Sequence, residues 1–416
     1  MTSSEINHKT LFFITANFPY GSDETFIENE INYLSISFDK IIIISHNVDS
    51  HAQRKTNDNV KVIRRSYSIG RFGKILSISG LFNKHFWKEI KIVKKTYQKK
   101  LSTGILKTIL ISLYNAKRLN KQYANIISEH SNSNTENYCY SYWCNDTALA
   151  LTYLKLKNPT FKTFCRIHGW DVYFEASKYN YLPFRQLIAD KYDMIFAISQ
   201  AGKNYAIDKW GAKSDQVQIS RLGISNNYKM DLNKTVNPFH LISCSSIIPL
   251  KRVHLIAEAI KQMNNVKLKW THFGDGAQRN VLESLLKTLP KSIEVTLKGS
   301  VSNNEIYSFH NLESPNLFIN VSSTEGVPVS IMEAMSFGIP AIATAVGGTP
   351  EIVNNENGYL LSKDPSTKEI AEVIQDFFNL SEQERLNKQK SAYKTWNEDY
   401  NATKNYNQFV EDILSL

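Results

Sequence analysis

Two glutamates with seven residues between them, Glu325 and Glu333, stand in the stretch FINVSSTEGVPVSIMEAMSFGIPAIATAVGGTPEIV at 318–353. A carboxylate that accepts hydrogen bonds from two neighbouring hydroxyls contributes on the order of 1.5–3 kcal/mol. Two such groups beside a helix N-terminus suit a ligand with hydroxyls at both ends and a diphosphate between them. The free N–H groups and dipole of a helix start favour the anion. Carboxylates repel phosphate, so Glu325 is expected to hold sugar hydroxyls and Glu333 those of a ribose. The amides of Gly326, Val327 and Val329 are expected to face the same ligand.

The elements that must position these groups are readable around them. FINVSS is an apolar, β-branched run that reads as a buried strand. TEGVP is a turn, with Pro328 suited to the first helical position. SIMEAMSF then reads as a helix that stops at Gly338, where Pro340 bars continuation. PAIAT is a second strand, Gly347-Gly348 a second loop, and Thr349 the N-cap of a further helix. Strand–loop–helix units in series imply a parallel sheet, with ligands bound where its strands end. Taken singly, each glutamate also fits a solvated surface helix. The run of Glu-Gly-x-Pro, Glu-Ala-Met, Gly-x-Pro and Gly-Gly-x-x-Glu is much harder to reach by chance.

With these motifs the sequence resembles glycosyltransferase family 4, retaining enzymes of GT-B architecture, in the type that builds bacterial cell-surface polysaccharide. The likeness extends over most of the chain. It implies two doubly wound, Rossmann-like α/β domains facing one another across a cleft. The family carries an arginine and then a lysine that grip the donor diphosphate. Lys251 matches the lysine, whereas Ser246 occupies the arginine position and leaves Arg252 or Arg221 to supply the missing charge. Lys251 also fits an exposed lysine at a helix start. His168, in HGWD at 168–171, matches a histidine that contacts the donor sugar, with Asp171 as a loop anchor. Gly21, in the loop PYGSDETF, lets backbone approach a ligand closely, or serves the loop alone. Gly274 and Gly276 resemble a turn near the nucleotide base, and Gly299-Ser300-Val301 places Val301 beside that base. Asp-x-Asp is absent, so the expectation is catalysis without a metal, and with no cofactor beyond the nucleotide-diphosphate sugar donor.

At 416 residues the chain exceeds one ordinary core. The expected division is an acceptor-binding domain at 1–225, a linker at 226–238, a nucleotide-sugar domain at 239–395, and a helix at 396–416 crossing back to the first domain. Strands are expected at 10–16, 40–45, 137–142, 163–167 and 194–198, with a helical insertion at about 66–125. The four cysteines show no metal-ligand spacing, which makes a reduced cytoplasmic compartment the default. The first apolar run, LFFITANF, is too short for a signal or a membrane span.

The net charge of +10 is unevenly spread. Residues 61–121 hold sixteen Lys and Arg and one acid, Glu89, so this segment carries +15 and the remainder −5. Its aromatic and aliphatic residues accompany the charge, which suits docking on an anionic membrane surface. The same pattern fits an amphipathic helix packed on its own domain with a solvated basic face. No nucleic-acid motif accompanies the charge. The expected function is transfer of a hexose-type sugar to a saccharide or lipid-linked saccharide at the inner face of the plasma membrane. The alternatives are another GT-B chemistry, such as a nucleotide-sugar epimerase or phosphorylase, and a non-catalytic sugar-nucleotide-binding protein.

Overall fold

The computed structural model describes residues 8–21, 24–50, 53–228, 238–263 and 266–416. Ser22 and Asp23 of the first loop, and most of the expected linker, lie outside the described residues. The chain divides into two compact units, Met1–Arg221 with Tyr406–Leu416, and Leu222–Asn405.

The first unit is built on seven parallel strands: β1 (His8–Thr15), β2 (Lys40–Ser45), β3 (Val60–Arg64), β4 (Thr135–Ser141), β5 (Lys162–Ile167), β6 (Met194–Ala197) and β7 (Val217–Ile219). Their order is β3-β2-β1-β4-β5-β6-β7, so the chain reverses direction across the sheet between β1 and β4. Side chains alternate across a strand, and here both faces are covered. Phe12 and Ile14 pack into the core shared with the helix Thr103–His130. Leu11 and Phe13 face the opposite cluster, which includes Phe409, Val410 and Ile413 of the last helix, Ala402–Leu414. Continuous apolar runs such as KIIIIS follow from that double burial.

β3 was not expected. VKVIR alternates weakly at the sheet edge and is only partly buried, and its lysine and arginine had placed it within the basic segment. The expected final helix is also two helices, Glu382–Asp399 and Ala402–Leu414. Asn401 breaks the run, because its side chain accepts from the amides of Thr403 and Lys404 and caps the second helix.

A charged pair lies at the heart of this unit. Glu30 and Arg166, both wholly buried, approach to 3.1 Å. The Tyr140 hydroxyl donates to Glu30 at 2.8 Å, and Arg166 donates to the Ser220 carbonyl at 2.7 Å. The guanidinium also lies 4.3 Å from the centre of the Phe409 ring. One arginine thus joins the helix Ile27–Ser37, two strands and the last helix.

The second unit repeats the design with six parallel strands: β8 (Phe239–Cys244), β9 (Leu268–Phe273), β10 (Ile293–Gly299), β11 (Leu317–Asn320), β12 (Ala341–Thr344) and β13 (Gly358–Leu361). The order β10-β9-β8-β11-β12-β13 puts its reversal between β8 and β11. A crevice outside the carboxyl ends of the strands at that point is where such a sheet binds ligands.

Removing one partner of a buried ion pair leaves the other charge desolvated, at a cost of about 3–5 kcal/mol. Arg166→Leu should therefore destabilise the first unit by that amount in urea unfolding followed by circular dichroism. A loss of under about 1 kcal/mol, the size of a surface pair, would contradict the central role given to this arginine.

Candidate active site

The second unit gathers its charged groups at the β8/β11 reversal. After β8 the chain runs through a short turn, Pro249–Lys251, into the helix Val253–Ile260. After β11 it forms the loop 321–328 and enters the helix Val329–Ser336. Pro328 is the N-cap, with extended backbone, so the helix starts one residue later than expected. Thr349 likewise is the first residue of its helix, and Gly348 takes the cap position.

The two loops are fastened together. The Ser323 amide donates to the Leu250 carbonyl at 2.9 Å. The Lys251 ammonium meets Glu325 Oε1 at 2.6 Å, and Asn320 donates to the same oxygen at 3.2 Å. Asn320, the last residue of β11, is a site member that sequence reasoning missed; a polar residue ending a buried strand was its only signal. Gly348 N donates to the Gly326 carbonyl at 2.6 Å. Gly347 has φ +54°, and a side-chain carbon there would stand 1.8 Å from the Glu325 carbonyl oxygen. That collision explains Gly347: only glycine there lets the β12 loop support the loop carrying Glu325.

Arg252 does not fit the role of a diphosphate contact. Its guanidinium donates to the Val321, Ser322 and Lys363 carbonyls at 2.7, 3.0 and 3.1 Å and to Asp364 at 2.7 Å. With four hydrogen bonds inside its own unit, it fixes the loop after β11. Ser246 is exposed on the loop after β8. Gly274 and Gly276 press against that same loop: added side-chain carbons would lie 1.9 Å from the Ser245 carbonyl oxygen and 2.5 Å from that of Ile247. Val301 is half-buried just beyond β10. Val327 is buried in the loop that ends at Pro328.

Glu333 is buried one turn into its helix, and burial alone pushes its carboxyl from 4.5 up to about 8. The neighbouring Cys244 thiol is pushed up to about 12, by burial first and then by the charge of Glu333, with Lys251 acting in opposition. Lys251, Glu325, Asn320 and Glu333 thus form one constellation, with a cation, a paired carboxylate and a buried carboxyl whose proton is held to about pH 8.

The first unit holds His168, Gly21 and Arg221. His168 is buried against Trp143 and Tyr142, with ring centres 4.4 and 4.7 Å away. Asp171 accepts from the amides of Cys144, His168 and Gly169 and lies 3.7 Å from His168 Nδ1. Burial opposes ionisation of Asp171, yet the histidine and these amides hold its carboxyl below the usual range. His168 Nε2 is buried without a hydrogen-bond partner among the described residues. Gly21 is exposed with φ +69°. Arg221 is half-buried at the end of the unit.

A cavity of about 770 Å³ opens at the ends of β1 and β4, with Phe26, Tyr67, Trp143 and Trp170 among its walls. Glu24 borders it and was also missed. Its buried carboxylate accepts from the amides of Ala16, Asn17 and Phe18, at 3.0, 2.6 and 2.6 Å, and from the Trp143 indole at 2.6 Å. Successive amides after a first strand are an anion cradle, and in this unit the protein's own carboxylate fills it. Among the described residues, no group of three or more His, Cys, Asp or Glu is placed to hold a metal ion.

Two doubly wound parallel units with these loops define a protein of GT-B architecture. Residues 225–395, within the second unit, match the family model for glycosyl transferases group 1. A putative colanic acid biosynthesis glycosyltransferase, WcaL of Escherichia coli K12, is 25% identical over 246 residues, 56% of this chain and 59% of the relative. The chain therefore spans about three-fifths of that protein's length. The amylovoran biosynthesis glycosyltransferase AmsK of Erwinia amylovora is 24% identical over 374 residues, 84% of this chain and 86% of its own. HepE of Anabaena, solved with UDP and glucose, superimposes with a TM-score of 0.62 over 98% of this chain and 100% of its own, at 15% identity, a likeness of fold.

A carboxyl held at about 8 must lose its proton to become the stronger acceptor for ligand hydroxyls. Below that pH the empty site is protonated, so binding of a ligand whose hydroxyls donate to this carboxylate should release a proton. Affinity should then rise toward about tenfold per pH unit up to about pH 8 and level off above it. Titration calorimetry across pH 6–9 checks this, and a flat profile contradicts the ribose assignment. Glu333→Gln should weaken binding and abolish the slope. It should also stabilise the empty unit at high pH, because the folded carboxyl's raised value costs stability as pH climbs from 4.5 through about 8.

Proposed function

We propose that the chain is a retaining, metal-independent glycosyltransferase. It moves a hexose-type sugar from a nucleotide-diphosphate sugar to a saccharide or lipid-linked saccharide acceptor. The setting is cell-surface polysaccharide biosynthesis in the cytoplasm, at the inner face of the plasma membrane. The observation that carries this reading is the 2.6 Å contact between Lys251 and Glu325 at the β8/β11 reversal, with Glu333 buried beside it. A diphosphate entering there competes for the Lys251 ammonium. Glu325, released from its cation, then accepts from sugar hydroxyls while Glu333 accepts from the ribose. Lys251 and the N-terminus of the helix Val329–Ser336 stabilise the charge that develops on the leaving diphosphate.

The names of the relatives support the polysaccharide setting, and HepE, solved with UDP, makes UDP-sugars the first donors to try. His168, with its buried and unpartnered Nε2, is the first unit's candidate to contact a sugar. The aromatic cavity of that unit suits a saccharide acceptor, since Glu24 already occupies the amides that would draw a phosphate. Retention follows if the leaving phosphate itself takes the acceptor's proton as the new bond forms on the same face. The absence of Asp-x-Asp supports independence from a divalent ion.

A hydrolysis and thermal-shift screen against UDP-, GDP- and ADP-sugars, with and without chelator, tests the reading. Turnover should persist in chelator. Lys251→Ala should lower it about 100-fold, the scale for removing one donor to a transition-state charge. Unchanged turnover would remove this lysine from the chemistry, and loss of turnover in chelator would overturn the metal-independent reading.

A further inference from the structure

Between Gly70 and Phe82 the first unit carries a segment built inside out. It comprises the helix Gly70–Leu76 and a tight helical run, Ser77–Phe82. A helix lying on a protein normally turns its large apolar residues inward. Here the buried positions are Gly73, Ser77 and Gly80. Gly73 and Gly80 pack closely against the helix Thr103–His130. A side-chain carbon at Gly73 would stand 3.2 Å from the Tyr114 ring, and one at Gly80 would stand 3.0 Å from Leu110. The large residues Phe72, Ile75, Leu76, Ile78 and Phe82 point to solvent, Phe72 and Phe82 at 83% and 93% exposure. Trp87 joins them from the next helix, Lys84–Lys95, with its indole N–H donated to the Leu81 carbonyl at 2.8 Å.

The charge around this patch is mostly positive, although Lys88 pairs with Asp190 at 3.9 Å. Arg71, Lys74, Lys84, Lys91, Lys94 and Lys95 are all exposed. The one acid of the segment, Glu89, is buried, where it accepts from the Tyr181 hydroxyl at 2.6 Å and the Phe184 amide at 2.9 Å. That buried anchor, with Phe86, Ile92 and Val93, fixes which side of the helix faces out. The rest of the basic stretch differs. The helix Thr103–His130 buries Ile105, Ile109, Leu113 and Leu119 in the core, so the structure restricts the surface expected over 61–121 to residues 70–95.

We propose that residues 70–95 seat the protein on an anionic phospholipid bilayer. The exposed apolar residues enter the headgroup boundary, and the surrounding lysines and arginine pair with lipid phosphates. A protein partner fits less well, because cores of protein interfaces are depleted in lysine. Among the described residues no helix is long and apolar enough to cross a membrane, so the seat is peripheral. The proposal is independent of the donor chemistry and is read with no nucleotide present.

Flotation of the full chain with phosphatidylcholine vesicles, with and without phosphatidylglycerol, tests it. Binding is expected only with phosphatidylglycerol, and it should fall as salt approaches 1 M, where screening acts over about 3 Å. The double substitution Phe72→Ser/Phe82→Ser should lower the bound fraction about tenfold or more, since each removes a large apolar side chain from the lipid. Circular dichroism and the thermal midpoint should stay those of the wild type, because both residues are exposed. A separate variant, Trp87→Phe, identifies by difference the Trp87 emission, which should shift to the blue on the anionic vesicles. Equal binding to neutral vesicles, no binding to either, or full binding by the double variant would overturn the proposal. A concentration-dependent dimer in light scattering that the double variant abolishes would assign the patch to a second copy of the chain and overturn it as well.

Discussion

The contact between Lys251 and Glu325 is the constraint around which the second unit is arranged. Opposite charges at 2.6 Å, mostly withdrawn from solvent, hold the loops after β8 and β11 at one fixed separation. Neither loop could supply that spacing alone. Arg252 ties the β11 loop to residues 363 and 364, and Gly347 lets the β12 loop close beneath Glu325. Gly274 and Gly276 let the β9 loop press on the backbone that leads to Lys251. Preorganisation of this kind means that a ligand exchanges partners within a built site and need not order it. The free energy of binding is then realised as differential contact, not lost to loop ordering.

The two units solve the same topological problem differently. Each reverses its strand order beside its first strand, and each has amide-rich loops at that reversal. In the first unit, Glu24 reaches back to three successive amides and a tryptophan, which removes the anion site and leaves an aromatic-walled cavity. In the second, a lysine is brought to the reversal and the carboxylates stand beside it. One topology therefore gives an aromatic-walled cavity in one unit and a cation beside carboxylates in the other, and the difference rests on where a few acids point.

Much of this arrangement was legible because it is local. Runs such as KIIIIS and the order of Glu325, Gly326, Pro328 and Glu333 fix strand, loop and helix within a few residues, and the parallel α/β reading follows from them. What escaped was set at long range. Arg252 bonds carbonyls and a carboxylate 69 to 112 residues away, so nothing beside it in sequence separates it from a ligand-binding arginine. β3 reads as part of a charged stretch because an edge strand needs little apolar character. The inward turn of Gly73, Ser77 and Gly80 depends on the bulk of a helix that begins at Thr103, and no periodicity within the segment reveals it.

The buried acids differ in what the fold supplies to them. Glu30 meets an arginine and a tyrosine, Glu89 a tyrosine and an amide, and Glu24 three amides and an indole. All three belong to the first unit and accept from donors that the fold itself provides. Glu333, in the second unit, is as deeply buried, yet burial is the one influence acting on its carboxyl. An acid in that condition costs stability as pH climbs through its raised value. Among these four acids, the three of the first unit face donors that the fold supplies, whereas burial alone acts on Glu333, inside the helix Val329–Ser336.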